Sequence, residues 1–136
     1  MTSDLLKHGR DVLSQQPFSV LLGTTLDAFE PGRAELSLPI RRELLQQHGF
    51  VHGGAISYLA DNALTYAGGS LLDNALTSEF KINYLRPVVG GDRLLAIATA
   101  VGAGKTQAVC RCDIYIVTGD ERKLCAAAQG TIRRTG

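Results

Sequence analysis

One segment of the sequence combines residue types that could polarise a carbonyl group and supply a base. Residues 49–69 read GFVHGGAISYLADNALTYAGG, so His52 precedes Gly53 and Gly54, and a single acid, Asp61, follows nine residues after the histidine. First-turn N–H groups of a helix lack intrahelical partners, so bare glycine amides there could donate to a carbonyl oxygen that becomes negative during a reaction. A tight loop-to-helix turn explains the two glycines equally well.

The spacing between His52 and Asp61 is informative in itself. Nine residues turn an α-helix through about 900° and advance it by about 13 Å, so the two ends cannot act on one small group within one chain. Either they are unrelated, or Asp61 meets the glycines of a second subunit in a two-fold dimer with antiparallel central helices. In the unrelated case Asp61 is a solvated or capping acid, although its neighbours Leu59 and Leu64 argue against an exposed face.

These residues must be positioned by a long helix and a sheet. Apolar residues at steps of three and four predict a buried helix from Gly53 to about Gly69, with Gly68-Gly69 as its stop. Before it we expect a short N-terminal helix, capped by Ser3 and ended by Pro17, and the alternating strand RAELSLPI. Four strand patterns follow, TSEFKINYLRP, DRLLAIATAVGAG, KTQAVCRCDIYIV and RKLCAAAQGTIRR. Short turns between them predict an antiparallel meander in a single α+β domain spanning residues 1–136.

The composition argues against several classes of function. A formal net charge of +1, without a basic run interleaved with aromatic residues, argues against partners such as nucleic acid or an anionic membrane. The cysteines Cys110, Cys112 and Cys125 lack further ligands at zinc spacing, so no metal is expected, and unpaired thiols suit a reducing compartment. No segment has the length of a signal peptide core or of a membrane span, so the expected location is the cytoplasm.

Two long stretches of the chain carry a resemblance to a known family. GFVHGGAISYLADNALTYA, followed by TSEFKINYLRPVVGGDRLLAIATAVGAGKTQAV, resembles the hotdog-fold acyl-CoA thioesterases of the phenylacetate-pathway (PaaI-like) type. The resemblance runs from about Leu36 to the C-terminus, and the combination of motifs is more specific than HGG alone. It implies a hotdog fold, an antiparallel β-sheet wrapped around one long central helix, which agrees with the element order above.

The resemblance also implies roles for individual residues. Gly53 matches the residue whose backbone N–H polarises the thioester carbonyl, and His52 matches a histidine that orients this region. Asp61 matches the catalytic carboxylate, which acts from the partner subunit as general base or nucleophile. Thr77 matches a Ser/Thr that holds the water. Gln46 stands where the family often has asparagine, which leaves its role open.

Three residues are candidates for binding the coenzyme A end of the substrate. Arg86 ends INYLRP, and Lys105 and Thr106 lie at the GAGKT turn, where cations and free turn amides could hold phosphate oxygens. Ordinary surface charge is the alternative for all three. GAGKT is not a P-loop, because Thr99 stands where the first glycine belongs and the turn joins two strands.

Together these observations predict an enzyme that hydrolyses the thioester of an acyl- or aryl-CoA to free acid and CoA, with no cofactor because coenzyme A is part of the substrate. A homodimer is required for the site, and we expect a homotetramer. Two alternatives on the same fold stay open: a non-catalytic acyl-CoA-binding module and an enoyl-CoA hydratase. The acyl group itself is not readable from the sequence.

Overall fold

Two short helices begin the fold. The computed structural model describes residues 3–135. Helix α1 spans Asp4–Ser14, and the Ser3 side chain accepts the Leu6 N–H at 3.1 Å, which confirms the predicted N-cap. The prediction that Pro17 ends this helix is wrong. Pro17 opens a second helix, α2 (Pro17–Leu22), where its missing N–H is harmless because first-turn N–H groups have no intrahelical acceptor.

The strands form one antiparallel sheet of six. They are β1 (Thr25–Glu30), β2 (Arg33–Pro39), β3 (Ala75–Tyr84), β4 (Arg93–Ala103), β5 (Gln107–Thr118) and β6 (Glu121–Arg134), and a single 3₁₀ turn at Arg42–Leu44 follows β2. Their order is β1-β2-β4-β5-β6-β3. The sequence analysis did not predict β1.

The predicted four-strand meander is only partly correct. Strands β4, β5 and β6 do follow one another as neighbours, but β3 pairs with β6 instead of β4. The reason is that both edges of β4 are filled, since β2 pairs with it on one side and β5 on the other. Strand β3 therefore lies at one end of the sheet, and its outer edge has no neighbouring strand within residues 3–135.

The long helix α3 spans Gly53–Gly69, as predicted, and packs on one face of the sheet. Its apolar stripe is buried, with exposed fractions of 4% or less at Ile56, Leu59, Ala60, Ala63, Leu64 and Ala67. The helix ends at Gly69, as predicted, although neither Gly68 nor Gly69 has the positive φ of a glycine cap and Ser70 is the capping residue. A Cβ at Gly68 would lie 2.7 Å from the Ile132 Cβ, so this glycine lets α3 approach β6 closely.

The three cysteines are buried, free thiols. Cys110 and Cys112 both point into the core from β5, as predicted from their spacing. Burial raises the pKa of the Cys110 and Cys125 thiols to about 11, so both are neutral at physiological pH. In residues 3–135, no three His, Cys, Asp or Glu side chains are grouped to hold a metal ion. Over the same range, no helix is long and apolar enough to cross a bilayer.

Candidate active site

The start of α3 presents one open backbone donor. His52 is the N-cap, and its Nδ1 accepts the Gly54 N–H at 2.8 Å. The Ala55 N–H bonds the His52 carbonyl at 3.0 Å, and the His52 N–H bonds the Leu44 carbonyl at 2.8 Å. Among the described residues, no acceptor is found for the Gly53 N–H. The histidine therefore orders the first turn and leaves the Gly53 amide available to an incoming oxygen.

Tyr84, the last residue of β3, binds the backbone carbonyl of Gly53. Its hydroxyl donates to the Gly53 carbonyl at 3.1 Å, and an added Cβ at Gly53 would be 3.4–3.6 Å from the tyrosine hydroxyl and ring. The sequence analysis placed Tyr84 only within the strand pattern TSEFKINYLRP and missed this contact. An aromatic residue at the end of INYLRP is a weak signal, because nothing local shows that β3 ends beside the start of α3.

Asp61 is half-buried and is held by a neighbouring strand. Thr77, near the start of β3, donates a short hydrogen bond to the Asp61 Oδ1. The Thr65 hydroxyl lies 2.8 Å from the Thr77 hydroxyl and donates to the Asp61 carbonyl at 2.9 Å. A β-bulge between Thr77 and Glu79 re-aims the strand at this point. The structure thus brings Asp61 and Thr77 together and disfavours a freely solvated acid. Thr65 was missed as part of this cluster.

The two halves of the site do not meet within one chain. Helix α3 runs without interruption from Gly53 past Asp61, which puts their backbones about 12 Å apart along its axis. On β3, Tyr84 at the Gly53 end and Thr77 at the Asp61 end are seven residues apart, or about 23 Å. The separation expected from the sequence is therefore present in the fold.

The candidate residues for coenzyme A also lie at opposite ends of the sheet. The Arg86 N–H bonds the Cys125 carbonyl at 3.4 Å, whereas the Thr106 carbonyl accepts the Arg134 N–H at 2.8 Å. Cys125 and Arg134 are nine residues apart on β6, which corresponds to about 30 Å. Arg86, Lys105 and Thr106 are all exposed, so they are free to contact a ligand, but one chain does not bring them together.

Gln46 braces the loop that leads to His52. Its side-chain oxygen accepts the His48 N–H in a short hydrogen bond. Its backbone N–H bonds the Phe50 carbonyl at 2.8 Å, and its carbonyl accepts the Gly49 N–H at 3.0 Å. The residue is half-buried. This arrangement shows Gln46 shaping the turn before the helix.

A polar network that the sequence analysis missed joins α2 to α3 beside Asp61. The Tyr58 hydroxyl donates to the Ser19 Oγ at 2.6 Å and lies 2.8 Å from the Thr24 hydroxyl. Ser19 is 1% exposed and donates to Gln16 at 2.7 Å, and the Asn62 amide contacts the same group at 3.3–3.4 Å. Tyr58 and Asn62 are on α3 within one turn of Asp61, so the network fixes the N-terminal helices next to the carboxylate.

Comparison with known proteins assigns the chain to a family. A family model described as the Thioesterase superfamily matches residues 48–123, which is more than half of the chain. The matched region begins just before the His52 cap and includes α3 and the strand that carries Thr77. The chain belongs to the thioesterase superfamily, which confirms the predicted enzyme class, a thioester hydrolase.

Individual relatives agree with this assignment. The chain is 34% identical over 115 residues to the acyl-coenzyme A thioesterase PaaI of Escherichia coli K12, covering 85% of this chain and 80% of that protein. A thioesterase family protein from Silicibacter pomeroyi has a TM-score of 0.89 at 36% identity, covering 97% of this chain and 99% of the other. The structure of the E. coli PaaI protein from the phenylacetic acid degradation operon has a TM-score of 0.88 at 27% identity, covering 100% and 97% of the two chains. These likenesses confirm the hotdog fold and the PaaI-like resemblance.

Proposed function

We propose that this protein is an acyl-CoA thioesterase that hydrolyses the thioester of an acyl- or aryl-CoA to the free acid and CoA. One observation carries the proposal: a single helix bears an open N–H at Gly53 and, two turns later, a carboxylate at Asp61 that Thr77 holds. A thioester is an activated acyl group, so its hydrolysis needs a base or nucleophile and an oxyanion donor, with little help for the departing thiolate. The E. coli relative named an acyl-coenzyme A thioesterase supports coenzyme A as the carrier.

The chemistry follows from the two groups. The Gly53 N–H donates to the thioester carbonyl oxygen and stabilises the negative charge that this oxygen gains during attack. With Asp61 as general base, the carboxylate takes a proton from water as the water oxygen bonds to the carbonyl carbon. The C–S bond then breaks, and the sulfur leaves as a thiolate that is protonated to CoA. With Asp61 as nucleophile, the carboxylate attacks first, and water hydrolyses the resulting anhydride.

Both routes, with Asp61 as base or as nucleophile, require a second subunit. Within residues 3–135, one edge of β3 has no neighbouring strand. Leu76 and Tyr84 on this strand, and Leu85 just after it, are exposed over 51–65% of their surface. Antiparallel pairing of two such edges about a two-fold axis would set the Thr77 end of one β3 against the Tyr84 end of the other. It would bring Asp61 beside the Gly53 of the partner subunit, forming two equal sites. Pairing of two such dimers would give the expected homotetramer.

The same dimer would unite the coenzyme A candidates. Arg86 lies near the Tyr84 end of its chain, and Lys105 and Thr106 lie near the Thr77 end. A two-fold axis through β3 would therefore place Arg86 of one chain at the same site as Lys105 of the partner subunit. Each chain would contribute a cation toward the phosphates of coenzyme A.

Asp61→Asn tests the proposal. Asparagine is nearly isosteric and its amide oxygen can still accept the Thr77 hydroxyl, so the fold and the oligomer should be unchanged. Loss of the base should lower kcat by about 10²–10⁴-fold, measured as thiol release from a panel of short, medium, long and aromatic acyl-CoAs. Full activity in Asp61→Asn contradicts the assignment of Asp61. A wild-type chain that binds acyl-CoA but releases no thiol indicates a binding module, and a monomer in sedimentation contradicts the shared site.

A further inference from the structure

A pocket of about 420 Å³ lies beside Asp61, between α1, α3 and the start of β3. Asn62 and Thr65, which flank Asp61 on the helix, form part of its wall, and so does Leu76, which precedes Thr77. The pocket therefore begins next to the groups that hold the carboxylate. Its volume is within the range of small-molecule sites.

The pocket follows α3 away from Asp61. Its helical wall runs from Asn62 to Ser70, eight residues or about 12 Å. Apolar side chains from α1 and β1, including Val12 and Phe29, form the opposite wall. Tyr66 presents its ring, because its hydroxyl is already bonded to a carbonyl of α1 at 2.8 Å. The ring also packs edge-on against Phe29 at 5.2 Å, so the interior is shaped before a ligand enters.

Two adjacent glycines of α3 differ in what surrounds them. A Cβ at Gly68 would collide with Ile132 at 2.7 Å, so packing alone explains that glycine. A Cβ at Gly69 would meet only the Ala75 Cβ at 3.8 Å, an ordinary contact, and Gly69 lines the pocket. Glycine inside a helix is destabilising relative to alanine, and no packing contact compensates for it here. The missing side chain keeps the pocket wide.

We propose that this pocket receives the acyl group of the substrate and that Gly69 determines how large an acyl group enters. The inference rests on the proposed thioesterase function, since it places the acyl chain relative to Asp61. The length and the apolar side chains on the wall opposite α3 suit a medium-length aliphatic or a single-ring aromatic acyl group. Polar side chains, among them the exposed His8 and Asp73, line the rest of the pocket.

Gly69→Leu tests the assignment because it fills the pocket about 12 Å along α3 from Asp61. Its kcat/KM for octanoyl-CoA and benzoyl-CoA should fall about tenfold or more, because excluding one methylene from an apolar pocket already lowers kcat/KM by about tenfold. Its kcat/KM for acetyl-CoA should stay within about twofold, because the acetyl group is too short to reach Gly69. Gly69→Ala should give a smaller change in the same direction. Lys7→Leu adds the same side chain at an exposed position of α1 outside the pocket lining and should leave kcat/KM for all three substrates unchanged.

Equal losses for acetyl-CoA and octanoyl-CoA in a folded Gly69→Leu dimer would overturn the inference, as would unchanged octanoyl-CoA turnover. Titration calorimetry with octanoate separates this outcome from failure of the proposed function. If the wild-type protein hydrolyses no acyl-CoA, the thioesterase proposal fails. Octanoate binding by wild type that Gly69→Leu abolishes would still support the pocket, whereas equal binding by both, or none by wild type, would refute it.

Discussion

Complementation between two inactive variants gives the sharpest test of the shared site. Gly53→Pro removes the open N–H without breaking a helix hydrogen bond, because Gly53 is the first residue of α3 and that N–H has no acceptor among residues 3–135. Proline is favoured at this helix position, and the preceding residue, His52, already has the extended ψ of 133° that a following proline requires. The variant should fold normally and lose about 10²–10³-fold in kcat, the usual effect of deleting one oxyanion donor.

Coexpression of Gly53→Pro with Asp61→Asn then measures whether the site is shared. In a mixed dimer, one site combines the Asp61 of the first chain with the Gly53 of the second and is fully wild type, while the other site carries both substitutions. Equal coexpression makes about half of the dimers mixed, each with one intact site of two, so about a quarter of wild-type activity should return. Thiol release per milligram of total protein is the assay.

The control and the refuting result are both clear. Gly53→Ala adds the same Cβ but keeps the N–H, and it should retain near-wild-type turnover, since that Cβ would sit at ordinary contact distance from Tyr84. If the coexpressed pair is no more active than the mean of the two variants made separately, Asp61 and Gly53 do not combine across chains. The dimer geometry proposed here would then be wrong.

Three further predictions concern single features. Thr77→Val should lower kcat about tenfold or more by removing the hydroxyl that holds the carboxylate, and Thr77→Ser should restore it; equal activity of the two would contradict this role. Gly68→Ala should lower the free energy of unfolding by about 1–3 kcal/mol in urea titration, because its Cβ would collide with Ile132, and an unchanged midpoint would contradict that packing. The pKa values of Cys110 and Cys125, raised by burial from 9.0 to about 11, mean that the folded state holds these protons more tightly. Burial raises the pKa of Cys112 as well. Stability should therefore be full below pH about 9 and fall toward pH 11, seen as a decreasing Tm, and replacing all three thiols with alanine should flatten that decrease.

The central helix was predictable because its signal is long and local. Residues at steps of three and four over 17 positions fix both its existence and its buried face, and His52 with its two glycines marks its start. Strand β1 escaped prediction because a bulge between Leu26 and Ala28 breaks the two-residue alternation. The position of β3 was not predictable from turns, since it depends on which strand edges are already filled.

Some features of the candidate site were likewise predictable from local sequence, and others depend on tertiary packing. The spacing of His52, Gly53 and Asp61 predicted that the two ends do not meet within one chain, because helix geometry is local, and it left open whether a second chain brings them together. Thr77 came only from the family resemblance. Its contact with Asp61, like that of Tyr84 with Gly53, depends on how β3 crosses the helix, which is a matter of tertiary packing.

The order of strands in the sheet also determines which strands can pair first during folding. Ala75 pairs with Arg134 and Tyr84 with Ala126, so β3 pairs with a strand that is synthesised much later. Strands β4, β5 and β6, in contrast, pair with their neighbours in sequence through tight hairpins. Closing so long a loop is entropically slow. During synthesis on the ribosome, α3 would therefore emerge with Asp61 before β6 is available to pair with β3 and place Thr77 beside Asp61. The contact between Asp61 and Thr77 therefore forms last, after β6 has left the exit tunnel, and partly made chains carry the helix without it.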